Sequence, residues 1–266
     1  MSRIFAGALA IVGALFVTGC GILGLSIVGS GFVVEQRYGL EGFDTVDVGS
    51  GFNVDVQLGV GFGVSIRTDD NILPHVTVRQ EGSRLVVGLA PGYAYLPTTL
   101  RAIVTLPGLA RLDLSGGSVG YVAEGFHTTG VFGLSLSGGS SASVGPLECG
   151  DLDVELSGGS RLAGEIHCPQ GQAALTLSGG SEIGSLTGEA ALMTLDQSGG
   201  GRTDLSGFTA QDAVVTLSGG SRARVSVTAT LGVELSGGSS LEYRGFGGAP
   251  AIVGLVITGG SEITVY

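Results

Sequence analysis

From Arg111 onward, apolar and polar residues alternate in short bursts, and nearly every burst runs into the same four letters. Leu112 and Leu114 flank Asp113, Leu134 and Leu136 flank Ser135, Val154 and Leu156 flank Glu155, and Leu175 and Leu177 flank Thr176; Ser-Gly-Gly-Ser follows each time. Alternation with period two predicts strands with one face buried. The alternation resumes past the tetrad. Gly120, Ala142, Leu162, Ile183, Thr203, Ala223, Leu241 and Ile263 stand five places after the tetrad's first residue, and Val122, Val144, Gly164, Ser185, Leu205, Val225, Tyr243 and Val265 stand seven places after it. Both columns are predicted to face inward. Counting parity straight through the tetrad places its first Gly and second Ser inside and its first Ser outside.

The tetrads begin at Ser115, Ser137, Ser157, Ser178, Ser198, Ser218, Ser236 and Thr258, in steps of 22, 20, 21, 20, 20, 18 and 22 residues. A fixed period near 20 is the mark of a solenoid. Strand periodicity on both sides of one corner predicts an all-β fold, a right-handed parallel β-helix with about 20 residues per coil, in which equivalent residues of successive coils stack at about 4.8 Å. A leucine-rich repeat needs a helix or a recurring Asn, and neither is visible. The tetrad-free half also alternates at Phe43–Val48, Phe52–Val56, Val64–Arg67, His75–Arg79, Arg84–Leu89 and Leu100–Leu106, with a turn at Asp69-Asp70-Asn71 and a longer loop from Ala90 to Pro97. One continuous domain over 32–266 is expected, with N-terminal coils over 32–105 and tetrad coils over 106–266.

The repeated tetrad invites chemical readings that its context removes. A phosphate loop needs a Lys, and all 12 basic residues are Arg. The calcium β-roll needs a ladder of Asp, whereas the place after the tetrad holds Val119, Ser141, Arg161, Glu182, Arg202, Arg222, Ser240 and Glu262. No Gly-x-Ser-x-Gly elbow occurs, and His75, His127 and His167 keep no fixed relation to a Ser. The tetrad is therefore read as a corner, with no catalytic residue, cofactor or metal expected. A net charge of −11 argues against nucleic acid as a partner.

Local features remain. Arg161, Glu182 and Arg202 fall on successive coils, an alternating ladder whose pairs are worth roughly 0.2–1 kcal/mol each. Arg222 then follows Arg202, a like-charge neighbour that Asp204 or an anionic ligand could offset. Cys149 and Cys168 share almost one phase of adjacent coils, and an exported chain meets oxidising surroundings, which predicts a disulfide. One coil breaks pattern: Gln197 replaces the inward Leu and Gly201 the second Ser, and a buried Gln must find partners. Arg202, Arg222 and Gln197 are thus the candidate ligand surface, with the loop at Pro91 as a further place where the columns break. The outward acids Asp113, Asp153, Glu155, Asp196, Asp204 and Glu234 read as dispersed across coils, unlike the clustered carboxylates of a polysaccharide lyase or hydrolase.

The N-terminus reads as an address. Arg3 precedes an apolar run, Ile4–Phe16, and Val17-Thr18-Gly19-Cys20 resembles a bacterial lipobox. The resemblance implies a signal peptide over 1–19, acylation at Cys20 and a Gly-rich tether over 20–31. The absence of charge from 4 to 34 leaves a membrane span as the alternative. By similarity to Gram-negative lipoproteins, Gly21 in place of Asp favours the outer membrane or cell surface.

Gly42-Phe43-Asp44-Thr45-Val46, Gly49-Ser50-Gly51-Phe52-Asn53-Val54-Asp55-Val56, Thr68-Asp69-Asp70-Asn71-Ile72-Leu73, Gly82-Ser83-Arg84-Leu85 and the recurring Leu-Ser-Gly-Gly-Ser together resemble the putative auto-transporter adhesin, head GIN domain family. The resemblance spans about 32–266. It implies an exported or lipid-anchored β-helical protein and brings no catalytic residues with it. The expected function is a non-catalytic envelope binding module whose partners are the membrane, through its anchor, and a glycan or surface protein. A β-helical polysaccharide-cleaving enzyme and a purely structural envelope protein are the alternatives.

Overall fold

The computed structural model describes residues 26–245 and 248–266. Among them the chain is strand and turn, with one short 3-10 turn at Leu73–His75. Parallel pairing in register stacks Leu85, Val46, Leu112, Leu134, Val154, Leu175, Leu195, Val215 and Val233 into one inward ladder. All of these side chains are buried, and full burial of a Leu or Val contributes roughly 1.5–3 kcal/mol. The column beside it runs Val87, Val48, Leu114, Leu136, Leu156, Leu177, Gln197, Leu217, Leu235 and Ile257. The tetrad-bearing part forms a β-solenoid of about seven turns spaced about 21 residues apart. Strands as long as Arg161–Leu177 follow almost the whole path between corners.

Each corner is a mirror-image β-turn. Both central glycines have φ between 62° and 82°, which L-residues disfavour and which a two-residue hairpin-type turn requires. The second Ser is buried and its Oγ donates to the first residue's carbonyl at 2.7–2.8 Å in six corners. The first Gly is exposed, contrary to the parity count, because two left-handed residues break strand parity at the turn. A Cβ at Gly158 would lie 3.1 Å from the Gly138 nitrogen, so side chains are also excluded by the coil before. Gly49-Ser50-Gly51-Phe52 is a ninth corner: Ser50 (φ 66°) takes the first glycine's place and Phe52 fills the interior where a Ser stands elsewhere. In the coil after Ser178, Gly184 is an extra residue, so Leu186 rather than Ser185 points inward.

Order along the stack departs from order along the chain. Arg84–Leu89 and Leu100–Leu106 lie beneath Thr45–Val48 and Asn53–Leu58, which lie beneath Arg111–Leu114 and Val119–Val122. Antiparallel strands then close this end: Gly63–Asp69 on Leu100–Leu106, Val33–Tyr38 on Gly63–Asp69, and Val76–Glu81 on Arg84–Leu89. The two outermost strands each carry an ion pair, Arg37–Glu35 (3.1 Å) and Arg79–Glu81 (2.7 Å), which discourages further strand addition.

Asp69 latches the incoming chain to this cap. Fully buried, it accepts from Gly31 N (2.8 Å), Thr98 N (2.9 Å) and Thr98 Oγ1 (2.7 Å). The Thr98 hydroxyl, with the Gly31, Thr98 and Thr99 amides, outweighs burial and lowers its pKa to about 2. Asn71 adds a bond to each side of Gly29, accepting from Ser30 N and donating to Val28 O. Further up the stack, Cys149 and Cys168 stand one above the other on adjacent coils with Cα atoms 5.1 Å apart, placed for the expected disulfide.

Candidate functional site

Arg202 and Arg222 are register partners on adjacent coils, both exposed, at the first strand position after their corners. Strand spacing sets their backbones about 4.8 Å apart. Glu182 lies in register below Arg202, yet its carboxylate is committed to Arg161 at 3.3 Å, so the alternating ladder closes on one side only. Asp204 does not offset the arginine pair by an ion pair either. It stands in the next outward column, where it accepts from Ser206 N (3.0 Å) and lies 4.0 Å from Arg224. Burial would raise the Asp204 pKa, but the Ser206 hydrogen bonds and the fields of Arg224 and Arg202 prevail and lower it. Arg224 in turn is bound by Glu242 at 2.5 Å and sits 5.0 Å from the Tyr266 ring centre.

The neighbouring column pairs its own charges, with Arg224 between Asp204 and Glu242. Among the described residues, Arg202 and Arg222 make no ion pair or side-chain hydrogen bond. The groove between the two columns is walled by Arg202, Arg222 and Arg224 with Asp204, Ser240 and Glu242. Two adjacent planar guanidinium groups can grip one carboxylate, sulfate or phosphate through paired N–H donors.

Gln197 lies inside the same coil and does not reach this groove. It is fully buried between Leu177 and Leu217; its Oε1 accepts from Thr203 Oγ1 at 2.7 Å, while Nε2 has no partner. Gly stands at 201 in place of the corner Ser because a Cβ there would come within 2.5 Å of Ser181 O and 2.9 Å of that Nε2. Gln197, Gly201 and Thr203 are one packed polar unit in the core. The structure thus brings Arg202 and Arg222 together and leaves Gln197 apart from them. Cys20 lies outside the described residues.

The acids are less dispersed than the sequence suggests. Asp113 (2.7 Å), Asp153 (3.8 Å) and Glu155 (3.6 Å) all gather on Arg111, and Arg84 joins the network through Asp113 and Asp47. Asp113 and Glu155 occupy one outward column two coils apart, so the repeat period itself would have revealed the cluster. It lies on the outer face of a sheet, and its carboxylates are tied to guanidinium groups. A second cluster stacks His127, Glu148, His167 and Glu189 on successive coils, with His127 Nδ1 3.3 Å from Glu148 and His167 Nε2 3.0 Å from Glu165. Among the described residues, no three or more His, Cys, Asp or Glu are placed to hold a metal ion. The loop at Pro91 packs on itself and the cap: Tyr95 donates to Ala90 O, its ring lies near His75 and Tyr93, and Ala94–Leu96 pairs with Ser26–Val28.

Stacked coils with glycine corners, one closed end and charge groups on outer sheet faces define the class as a parallel β-solenoid. The chain belongs to the family described as putative auto-transporter adhesin, head GIN domain, whose profile matches residues 42–247. It is similar in fold to a putative adhesin from Parabacteroides merdae ATCC 43184 (TM-score 0.80, 16% identity, 91% of this chain and 99% of that one). It is also similar to a putative adhesin from Parabacteroides distasonis ATCC 8503 (TM-score 0.78, 17% identity, 91% and 100%) and to a putative lipid binding protein from the same organism (TM-score 0.73, 16% identity, 91% and 99%). No curated protein matches the sequence.

Proposed function

We propose that the protein is a non-catalytic envelope lipoprotein, anchored at Cys20, that binds an acidic ligand, a glycan or a surface protein, through the groove at Arg202 and Arg222. The observation that carries this reading is the exposed Arg202–Arg222 pair, neither side chain held in an ion pair among the described residues, in a chain of net charge −11. Adjacent like charges oppose one another, and an anion bridging them turns that cost into a charge-assisted contact. Membership of an adhesin family and the lipobox-like Val17-Thr18-Gly19-Cys20 support export and display.

The test is calorimetric titration of a uronate- or sulfate-bearing oligosaccharide into the full chain. Binding that weakens with salt and falls at least tenfold in Arg202→Gln/Arg222→Gln supports the groove. Binding unchanged in that variant, or none to any acidic glycan or acidic envelope protein, overturns it. The gathering of Asp113, Asp153 and Glu155 on Arg111 is the observation that favours a second reading, a polysaccharide-cleaving enzyme. Depolymerisation of a polyuronate, lost in Asp113→Asn, would establish that reading instead.

A further inference from the structure

The two ends of the solenoid are unlike. At one, antiparallel strands with their own ion pairs cover the last coil. At the other, the coil Ala251–Tyr266 has neighbours on one side only. Its strand Ala251–Ile257 is accessible along its whole length, and Leu255 (49% exposed), Ile257 (37%) and Val265 (66%) are the ends of inward columns laid open. Glu262 is the single charged side chain in these 16 residues, and no Pro interrupts them. Such an edge is a template for another strand unless it is covered.

The occupant we infer is a second copy of this chain, placed open end to open end. An isologous two-fold contact needs a patch that matches itself, and the strand Ala251–Ile257 is apolar along its length, with Ala-Ile-Val before Gly254 and Leu-Val-Ile after it. A two-fold axis across the stack reverses chain direction, so the edge strands meet antiparallel. That is the same pairing the chain uses where Gly63–Asp69 seats on Leu100–Leu106. The 16 residues of the coil approach the 20–30 a side of a standard protein interface, and the exposed Ile252, Val253, Leu255, Val256, Ile257 and Val265 give it an apolar centre. Because the other end is closed, the assembly stops at two.

This arrangement deepens the anchored-adhesin reading and rests on it for its second half. The chain arrives at the closed end, where Ser26–Val28 pairs with Ala94–Leu96, with only five residues between Cys20 and Ser26, a reach of at most about 20 Å. Each copy contributes ten stacked layers, so two joined copies hold their anchors some nineteen strand spacings apart, roughly 90 Å at about 4.8 Å each. Anchors at opposite ends of one rod tie together two facing lipid surfaces, which is adhesion of like to like.

The experiment uses the full chain, purified from membranes in detergent and then reconstituted into phosphatidylcholine vesicles. Sedimentation velocity in detergent is expected to show a dimer that dissociates at least tenfold more readily in Leu255→Lys. Val265→Lys, at a side chain already exposed, provides a second test should the first variant fray the coil, and Val60→Lys on the opposite end leaves dimerisation unchanged. Vesicles carrying wild-type protein are expected to cluster, and those carrying Leu255→Lys or Val265→Lys to stay dispersed. A monomer at 100 µM, open-ended fibres, or a dimer untouched by both open-end variants would overturn the contact. Dimers without clustering, on vesicles that flotation shows to carry the protein, would overturn the bridging geometry and leave the contact standing. Failure to float at all identifies the anchor as the fault.

Discussion

The closed end and the open end of this solenoid are held by different kinds of interaction. The closed end depends on individually placed polar groups: one buried carboxylate, Asp69, takes hydrogen bonds from the segment at Gly31 and the loop at Thr98, and Asn71 ties Val28 and Ser30. The open end depends mainly on repetition, its strands stacked on those one coil away, with Tyr266 reaching back to Arg224 and Ser226. A repeat can be extended or stopped at any coil, whereas a cap must be specified residue by residue. Changes at the closed end should therefore act through single residues, and changes in the coils through stacking.

The largest expected effect comes from Asp69→Ala. It leaves the amides of Gly31 and Thr98 without their acceptor, and loss of hydrogen bonds to a buried charge costs about 3 kcal/mol. Hydrogen exchange should report the loss in residues 26–38 and 90–106 while the tetrad coils keep their protection; uniform loss would mean that the two ends are not independent. Acid should do the same to the wild type. The folded pKa of Asp69 is lowered to about 2, below the usual unfolded value near 3.9, so the latch is intact above about pH 4 and is lost as pH falls towards 2. Exchange measured at pH 5 and pH 2.5 should show the cap loosening first.

Much of the repeat was legible and little of the cap, for one physical reason. A stacked coil announces itself through period: the Leu columns, the glycine turns and the phase shared by Cys149 and Cys168 all follow from spacing near 20. The same spacing contained the gathering of Asp113 and Glu155 about Arg111, which is visible once residues two coils apart are read as neighbours. The cap has no period. Asp69-Asp70-Asn71 read as a turn, and the chain does turn from Asp70 at the end of the strand Gly63–Asp69, but a turn signal says nothing about a carboxylate reaching Gly31 and Thr98. Nor does alternation in Arg84–Leu89 say that this strand lies beneath Thr45–Val48, since parallel pairing is indifferent to chain order.

A second pair of substitutions compares positions within the stack. At Gly158 a methyl group meets the backbone of Gly138 while the next coil presses from the other side, and φ of 64° adds strain, so Gly158→Ala should cost about 2 kcal/mol. Gly259 has a similar φ of 65° and a closer neighbour, Gly237 N at 2.8 Å against 3.1 Å at Gly158, but no coil among the described residues lies beyond its own, which can shift to relieve the contact. Gly259→Ala should cost about half as much. Urea titrations of both variants measure the difference, and equal costs would mean that the last coil is as tightly held as the middle ones, removing the contrast between the ends.

The smallest expected effect tests the one coil that imitates the cap. Gln197 is a single placed polar group inside the repeat, but it differs from Asp69 in being only half satisfied: Thr203 meets its oxygen and nothing meets its nitrogen. Replacing both partners by apolar groups, in Gln197→Leu/Thr203→Val, removes a buried unpaired donor without orphaning another group, and restores the column between Leu177 and Leu217. Stability should rise by about 1 kcal/mol, a thermal shift of about 2–4 °C for a chain of this size. A fall instead would mean that the carboxamide nitrogen binds something fixed in place, with Gly201 leaving the room for it, and the coil would then work as the closed end does, through a residue that spacing cannot reveal.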